Sequence, residues 1–345
     1  MTTLKNTLLA ILACAATAGS AQTISLQGAG ATFPYPLYSK WMAEYQKVDP
    51  KVQINYQSIG SGGGIKQILE HTVDFGASDA PMTTQERAKA TTTLYHIPMT
   101  LGAIVITYNV PGLSSGLKFS QEALADIFLG KITTWNDARL TTLNPGAHLP
   151  ATPITVAYRT DGSGTTNGFT EYLSKISPEW KTTVGTGKSV KFPVGLGGKG
   201  NEGVTGLVKS TPGAIGYVEV AYANQNRMPI ASLRNHAGKF VQPTMENVSA
   251  AAKGQKFPDD LCLSLTDGPD AKAYPIASFT YILVYQQQQD AIKGKALADY
   301  LWWAIHEGQK FGPALDYAPL PKDQLPVIEA RLKTLTANGK HLIAK

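Results

Sequence analysis

Thr23-Ile24-Ser25-Leu26-Gln27-Gly28-Ala29-Gly30-Ala31-Thr32-Phe33-Pro34 leads into a segment where Leu37, Trp41, Tyr45 and Val48 recur at helical spacing, so it reads as strand, glycine turn and helix. The same order returns downstream. Val52, Ile54 and Tyr56 alternate as a strand, Gly60-Ser61-Gly62-Gly63-Gly64 follows, and Ile65, Ile68 and Leu69 resume a helical period. It returns again with Ile154, Val156 and Tyr158, then Asp161-Gly162-Ser163-Gly164, then Phe169, Tyr172, Leu173 and Ile176. A chain that alternates strand, loop and helix in this way predicts an α/β protein. Ser120 is placed to cap a helix over 120–130, residues 214–220 and 280–285 read as strands, and 290–307, with Trp302 and Trp303, and 324–335 read as closing helices. No tandem repeat or long linker interrupts the pattern, which predicts lobes joined by short crossings.

The length of 345 residues gives room for two domains, because single cores rarely grow beyond 250–300 residues. Hydrophobic residues at 43% and charged residues at 16%, with 33 Gly and 21 Pro, describe a folded, loop-rich chain. Residues 1–21 read as an export signal: Lys5 precedes the small apolar run 8–18, and Gly19-Ser20-Ala21 offers small residues for cleavage. That run is too short to span a bilayer. Ile11-Leu12-Ala13-Cys14 resembles a lipoprotein processing site only loosely, so a lipid anchor at Cys14 is the lesser expectation. Removal of this segment leaves Cys262 alone, which rules out an internal disulfide or a cysteine metal site and predicts a small buried hydrophobe between Leu261 and Leu263. Removing Lys5 leaves 30 basic against 25 acidic residues, a mild excess that suits an anion-binding protein. The basic residues are scattered, and no run forms a nucleic-acid patch.

The chemistry lies in the glycine turns. The first N–H groups of a helix have no internal acceptor and sit at the positive end of its dipole, so a strand-to-helix turn can hold an anion without a lysine. Three such turns with hydroxyls at hand (Thr32; Ser58 and Ser61; Ser163 and Thr165) make a site of neutral donors if the fold gathers them. Taken singly, each turn reads equally well as a plain bend or helix cap, Asp79 as a turn residue and Arg159 as a surface arginine.

Three stretches carry a resemblance: Gly28-Ala29-Gly30-Ala31-Thr32-Phe33-Pro34, Val73-Asp74-Phe75-Gly76-Ala77-Ser78-Asp79-Ala80-Pro81, and Arg159-Thr160-Asp161-Gly162-Ser163-Gly164-Thr165. Together they resemble the phosphate-binding protein family of the bacterial phosphate ABC importer. The likeness continues through Leu129-Gly130-Lys131-Ile132, Val184-Gly185-Thr186-Gly187, Gly195-Leu196-Gly197-Gly198-Lys199-Gly200 and Pro212-Gly213-Ala214-Ile215-Gly216-Tyr217, nearly the whole mature chain in order. The resemblance implies a type II periplasmic-binding-protein fold: two α/β lobes, each a mainly parallel sheet flanked by helices, with the ligand in the cleft. Crossings near Pro98-Met99 and Tyr274-Pro275 would give lobe 1 as 22–99 and 276–345 and lobe 2 as 100–275. The resemblance places phosphate-binding residues at Ala31, Thr32, Phe33, Ser61, Asp79, Arg159, Ser163, Gly164 and Thr165, with Asp161 pairing with Arg159. It implies inorganic phosphate and a membrane permease as partners, a monomer in the periplasm, no nucleic acid, no cofactor and no catalysis. Gly62 departs from the pattern, since relatives often carry a second serine there, and Tyr158 stands where some place another basic residue.

An ionised carboxylate at Asp79 only accepts hydrogen bonds, so it pairs with the proton that phosphate keeps near neutral pH and repels a bare sulfate oxygen. A site built to pair a ligand hydrogen can reject the analogue that lacks it by about 10⁴ to 10⁵. Arsenate, which also keeps a proton, fits the same logic. Three rivals stand against this reading: a secreted phosphatase or acyl hydrolase, a carrier of another oxyanion such as sulfate or molybdate, and an adhesive envelope protein. Gly162-Ser163-Gly164 lacks the G-x-S-x-G spacing of a nucleophile elbow, Lys310 replaces the second histidine of a zinc motif begun by His306-Glu307, and Gly200 breaks the P-loop pattern at 195–200.

Overall fold

The computed structural model describes residues 23–344, so the expected export signal and Cys14 lie outside the described residues. Eight strands form one sheet: β1 (Ile24–Gly30), β2 (Val52–Ser58), β3 (Phe75–Ser78), β4 (Leu94–Tyr108), β5 (Thr155–Arg159), β6 (Leu196–Gly198), β7 (Ala214–Glu219) and β8 (Ala277–Tyr285), in the order β2-β1-β3-β8-β4-β7-β5-β6. β1 runs parallel to β2 and β3, and β5 runs parallel to β6 and β7, while β8 and β4 are antiparallel to their neighbours. Among the helices that flank these strands are α1 (Tyr35–Val48), α2 (Ser61–Leu69), α3 (Gly164–Ile176), α4 (Gly200–Ser210) and α5 (Ala291–Ile305). Each of the first four begins within five residues of a strand end. The mixed sheet and the strand-turn-helix units make the expected two-lobed α/β architecture.

β4 runs through the middle of this sheet, between β8 and β7. Its fifteen residues are rich in β-branched and aromatic side chains, and all but Leu94 are buried. β4 pairs with β8 as far as Ala103 and with β7 from Ile104 onward. Ile104 N–H also donates to Ile276 O at 2.9 Å, which brings the residue before β8 beside the point where β4 changes partner. Pro98 has no N–H to give the ladder, and the register shifts opposite Thr280 and Tyr281 to accommodate it.

Packing follows the expected faces with two exceptions. Leu37, Trp41 and Tyr45 are buried on α1, but Val48, at its last position, is 60% exposed because the chain turns into β2 there. Cys262 is half-buried rather than fully buried, because it lies where the Arg87 guanidinium reaches its sulfur at 3.3 Å. Trp41, Trp135 and Trp180 are fully buried, and each indole N–H finds a carbonyl, at Gly308, Gly213 and Gly185 respectively. Burying an indole without such a partner would offset much of the roughly 4–6 kcal/mol its area contributes. Ser120 caps the helix Gln121–Phe128 and Asp290 caps α5, as their positions predict. Among the described residues, no helix is long and apolar enough to cross a membrane.

Candidate functional site

The carboxyl ends of β1, β2, β3, β5 and β6 converge where the two lobes meet, the place where open α/β sheets bind ligands. Thr32, Ser61, Asp79, Arg159, Ser163 and Thr165 are all buried there. Ala31, Phe33 and Gly164, which the sequence also singles out, lie in the same cluster.

The hydroxyls are held in a common way. Ser61 Oγ accepts the N–H of Gly164 from the opposite lobe at 3.0 Å and that of Asp79 at 3.2 Å. Thr32 Oγ1 accepts both the side-chain amide of Asn201, at 2.7 Å, and its backbone N–H, at 3.2 Å. Thr165 Oγ1 accepts Arg159 Nη1 at 3.3 Å and Asn201 Nδ2 at 3.2 Å. A hydroxyl oxygen offers two lone pairs and one hydrogen. At Thr32 and Thr165 both lone pairs are taken, so the remaining hydrogen is aimed away from protein donors. Ser61 keeps its hydrogen on a long 3.4 Å contact with Asp79 Oδ2, a bond that a better acceptor can replace.

The backbone adds its own donors. Among the described residues, the N–H groups of Thr32, Phe33 and Thr165 have no acceptor. Those of Ala31 and Ser163 are engaged by Ala77 O at 3.0 Å and Lys188 O at 2.8 Å, so these two residues offer no free N–H. Ser163 instead caps α3 through its side chain, accepting from Thr166 N at 2.9 Å.

Two charged groups complete the cluster. Arg159 is forked onto Asp161 through Nε at 2.8 Å and Nη2 at 2.5 Å, as expected, and Gly200 N–H also donates to Asp161 at 2.9 Å. Asp161 feels the penalty of burial, but these bonds hold its carboxyl below the ordinary value. Burial pushes Asp79 up to about 7, against the stabilising pull of Thr280, Arg159 and Ser61. Thr280 Oγ1 donates to Asp79 Oδ1 at 2.8 Å, which leaves Oδ2 turned toward the cluster.

The structure also shows contributors that the sequence reading missed. Asn201, fully buried at the start of α4, ties Thr32 to Thr165 across the two lobes, and Glu219 N–H fixes its orientation through Oδ1 at 3.0 Å. The signal was present: β6 and α4 form a fourth strand-turn-helix unit at 196–201, which a comparison with the P-loop pattern alone passes over. Thr280, in the middle of β8, carries no loop signal at all. Ser58 belongs to the second turn, but its buried hydroxyl touches none of these groups. Gly62 N–H donates across the lobes to Gly162 O at 2.8 Å, and a Cβ at Gly62 would stand 3.1 Å from Gly162 Cα, so the departure from serine permits a closer approach of the lobes. Tyr158 stacks on Phe192 at 4.7 Å as part of the core.

Two α/β lobes linked by strand crossings, with convergent neutral donors, one arginine and one acidic acceptor between them, define a type II periplasmic solute-binding protein. A model of the PBP superfamily domain matches residues 15–304. The chain is 47% identical over 327 residues to the phosphate-binding protein PstS of Pasteurella multocida, covering 93% of this chain and 94% of that protein. It is 47% identical over 317 residues to the PstS of Haemophilus influenzae, covering 91% and 94%. The crystal structure of a phosphate-binding protein from Stenotrophomonas maltophilia shares the fold, with a TM-score of 0.72 at 20% identity over 92% of this chain and 97% of that one. The chain belongs to the PBP superfamily and, within it, to the PstS family of phosphate-binding proteins.

Proposed function

We infer that this chain captures inorganic phosphate in the cell envelope and delivers it to an ABC-type import permease. It is a binding protein and not an enzyme. The carrying observation is the hydrogen accounting at Thr32, Ser61 and Thr165: each oxygen already accepts two protein N–H donors, so each hydroxyl hydrogen is available for an anion.

In this reading Thr32, Phe33 and Thr165 N–H and the hydroxyls of Thr32, Ser61, Ser163 and Thr165 surround the phosphate oxygens. Arg159 adds a charge-assisted bond through Nη1, its guanidinium being oriented by Asp161. Ala31 and Gly164 shape the wall through their backbone. Asp79 Oδ2 accepts the phosphate O–H. Charge is dispersed over dipoles rather than neutralised by lysines, so binding rests on geometry and on closure. We place the lobe crossings in the stretches 98–104 and 274–277; the change of partner along β4 and the Ile104–Ile276 hydrogen bond support that placement. Hinge closure about these crossings then traps the anion, and the permease reads the closed surface of a periplasmic monomer.

The test is titration calorimetry with phosphate and sulfate at pH 8, where Asp79 is largely ionised, after carried-over phosphate has been stripped by partial unfolding and refolding. Tight one-to-one phosphate binding with little sulfate response supports the reading. Equal binding of both anions, or of neither, overturns the ligand assignment.

A further inference from the structure

The segment 184–188, singled out by its Val184-Gly185-Thr186-Gly187 motif, contributes no side chain to the anion site. It lies along α3 as a strap. Gly187 N–H donates to Thr170 Oγ1 at 3.2 Å, Thr186 Oγ1 donates to Ser174 Oγ at 2.9 Å, and Lys188 O accepts the N–H of Ser163 at 2.8 Å. The strap therefore supports the anion turn of lobe 2 from behind. At its end the Lys188 ammonium leaves that lobe and meets Glu86 Oε2 of lobe 1 at 2.7 Å.

Glu86 is itself fixed. It is the third helical residue of the short turn Thr84–Arg87, where its side chain accepts Thr83 N–H at 2.8 Å and its N–H donates to Thr83 Oγ1 at 3.1 Å, a capping box. The carboxylate is thus oriented before the lysine arrives, which lowers the side-chain entropy lost on pairing. The side chains of Lys188 and Glu86 are 12% and 24% exposed, against 68% and 71% for Lys272 and Glu246 at the surface. Water and salt screen the first pair far less than the second. Beside it, Arg87 reaches Asp260 at 3.0 Å in a more open pair.

We propose that Lys188 and Glu86 are positioning residues whose ion pair latches the lobes together and sets how long bound phosphate is retained. The proposal rests on the phosphate-binding reading above. Because the pair joins only when the lobes meet, it acts on release more than on capture: the anion enters before the latch forms and leaves after it breaks. The lowering of the Glu86 carboxyl, where the Lys188 and Thr83 bonds prevail over burial, agrees with a pair formed in the closed molecule.

The experiment measures phosphate association and release by rapid mixing, using labelled phosphate and a chase, for the wild type, Glu86→Gln, Lys188→Met and the double variant. Glu86→Gln keeps the capping box, and Lys188→Met keeps the apolar stem and the carbonyl that holds Ser163, so each removes the charge and little else. Each single variant is expected to release phosphate roughly 3- to 10-fold faster, with association changed less than about twofold. The double variant is expected to match either single one, since the second substitution has no pair left to break. Wild-type release rates in the single variants, or effects that multiply in the double, would overturn the latch while leaving phosphate binding intact. A wild type that binds no phosphate would instead overturn the function on which the latch rests.

Discussion

In the proposed reading, Asp79 is the residue at which anion choice and pH meet. Burial raises its carboxyl to about 7 against an ordinary value of 3.8, so the ligand-free carboxyl is half protonated near neutrality and largely ionised only toward pH 8. A protonated Asp79 donates where the ionised form only accepts, and a donor suits sulfate as well as phosphate. Sulfate affinity is therefore expected to rise as pH falls from 8 to 6, whereas in Asp79→Asn it should be higher at pH 8 and nearly flat. Competition titrations across that range check this, and a flat wild-type profile would remove Asp79 from the selectivity argument. Stability follows the same sign. A carboxyl raised above its unfolded value contributes fully below about pH 4 and loses its contribution as pH climbs through about 7, with a ceiling of roughly 4 kcal/mol at about 1.4 kcal/mol per pKa unit. Ligand-free Asp79→Asn should thus melt above the wild type at pH 8 and with it at pH 4. Asn201 gives a second test at this scale. Asn201→Asp keeps the shape, but it replaces the amide that donates to Thr32 and Thr165 with an acceptor that draws their hydroxyl hydrogens away from the anion. Phosphate affinity should fall at least about 100-fold by calorimetry, because two hydrogen bonds are lost and a negative charge is gained.

At the scale of elements, the site is a meeting of helix starts. The Gly164 N–H at the first turn of α3 reaches Ser61 at the first turn of α2, and a Cβ built on Gly164 would come within 2.6 Å of Asp79 Cβ and of Ser61 Oγ. In the proposed two-lobed reading, that crowding arises where the lobes meet. Within lobe 2 alone, alanine at a helical position is favoured over glycine by up to about 1 kcal/mol. Gly164→Ala is therefore expected to leave the ligand-free melting temperature unchanged or slightly higher while abolishing tight phosphate binding; retained affinity would mean that the lobes do not close this far. Turns such as these were legible in sequence because strand period, glycine and helix period are all local signals, and β1, α1, β2, α2, β5 and α3 stand where their periodicity places them. Partners that arrive from afar were not. Thr280 reaches Asp79 from 201 positions away along a buried strand with nothing to mark it, and Lys188 finds Glu86 across 102 positions. Nor does periodicity show which N–H groups are already engaged: Ala31 and Ser163 lie in the right turns, yet the bonds to Ala77 and Lys188 follow only from the pairing of strands and the strap on α3.

For the whole molecule, closure ties ligand binding to the stability of both lobes. Gly62 to Gly162, Gly164 to Ser61, Asn201 twice to Thr32 and the Tyr222 hydroxyl to Thr32 O are hydrogen bonds that cross between the proposed lobes, all around the glycine turns. An anion that bonds to both sides adds its own bridges to these and favours the closed form over every open or unfolded one. By mass action each tenfold excess of phosphate over its dissociation constant adds about 1.4 kcal/mol to stability, or roughly 2 °C or more in a chain of this size. The melting temperature should climb linearly with the logarithm of phosphate concentration and show no plateau, at constant ionic strength and pH 8. Sulfate at the same concentrations should produce almost no slope, since Asp79 is ionised there and opposes it. Gly164→Ala should lose the phosphate slope as well, because its lobes cannot meet around the anion. A phosphate slope retained in Gly164→Ala would place the stabilising contacts within one lobe, and the two crossings proposed near Ile104 and Ile276 would then serve to connect the lobes without coupling them to the ligand.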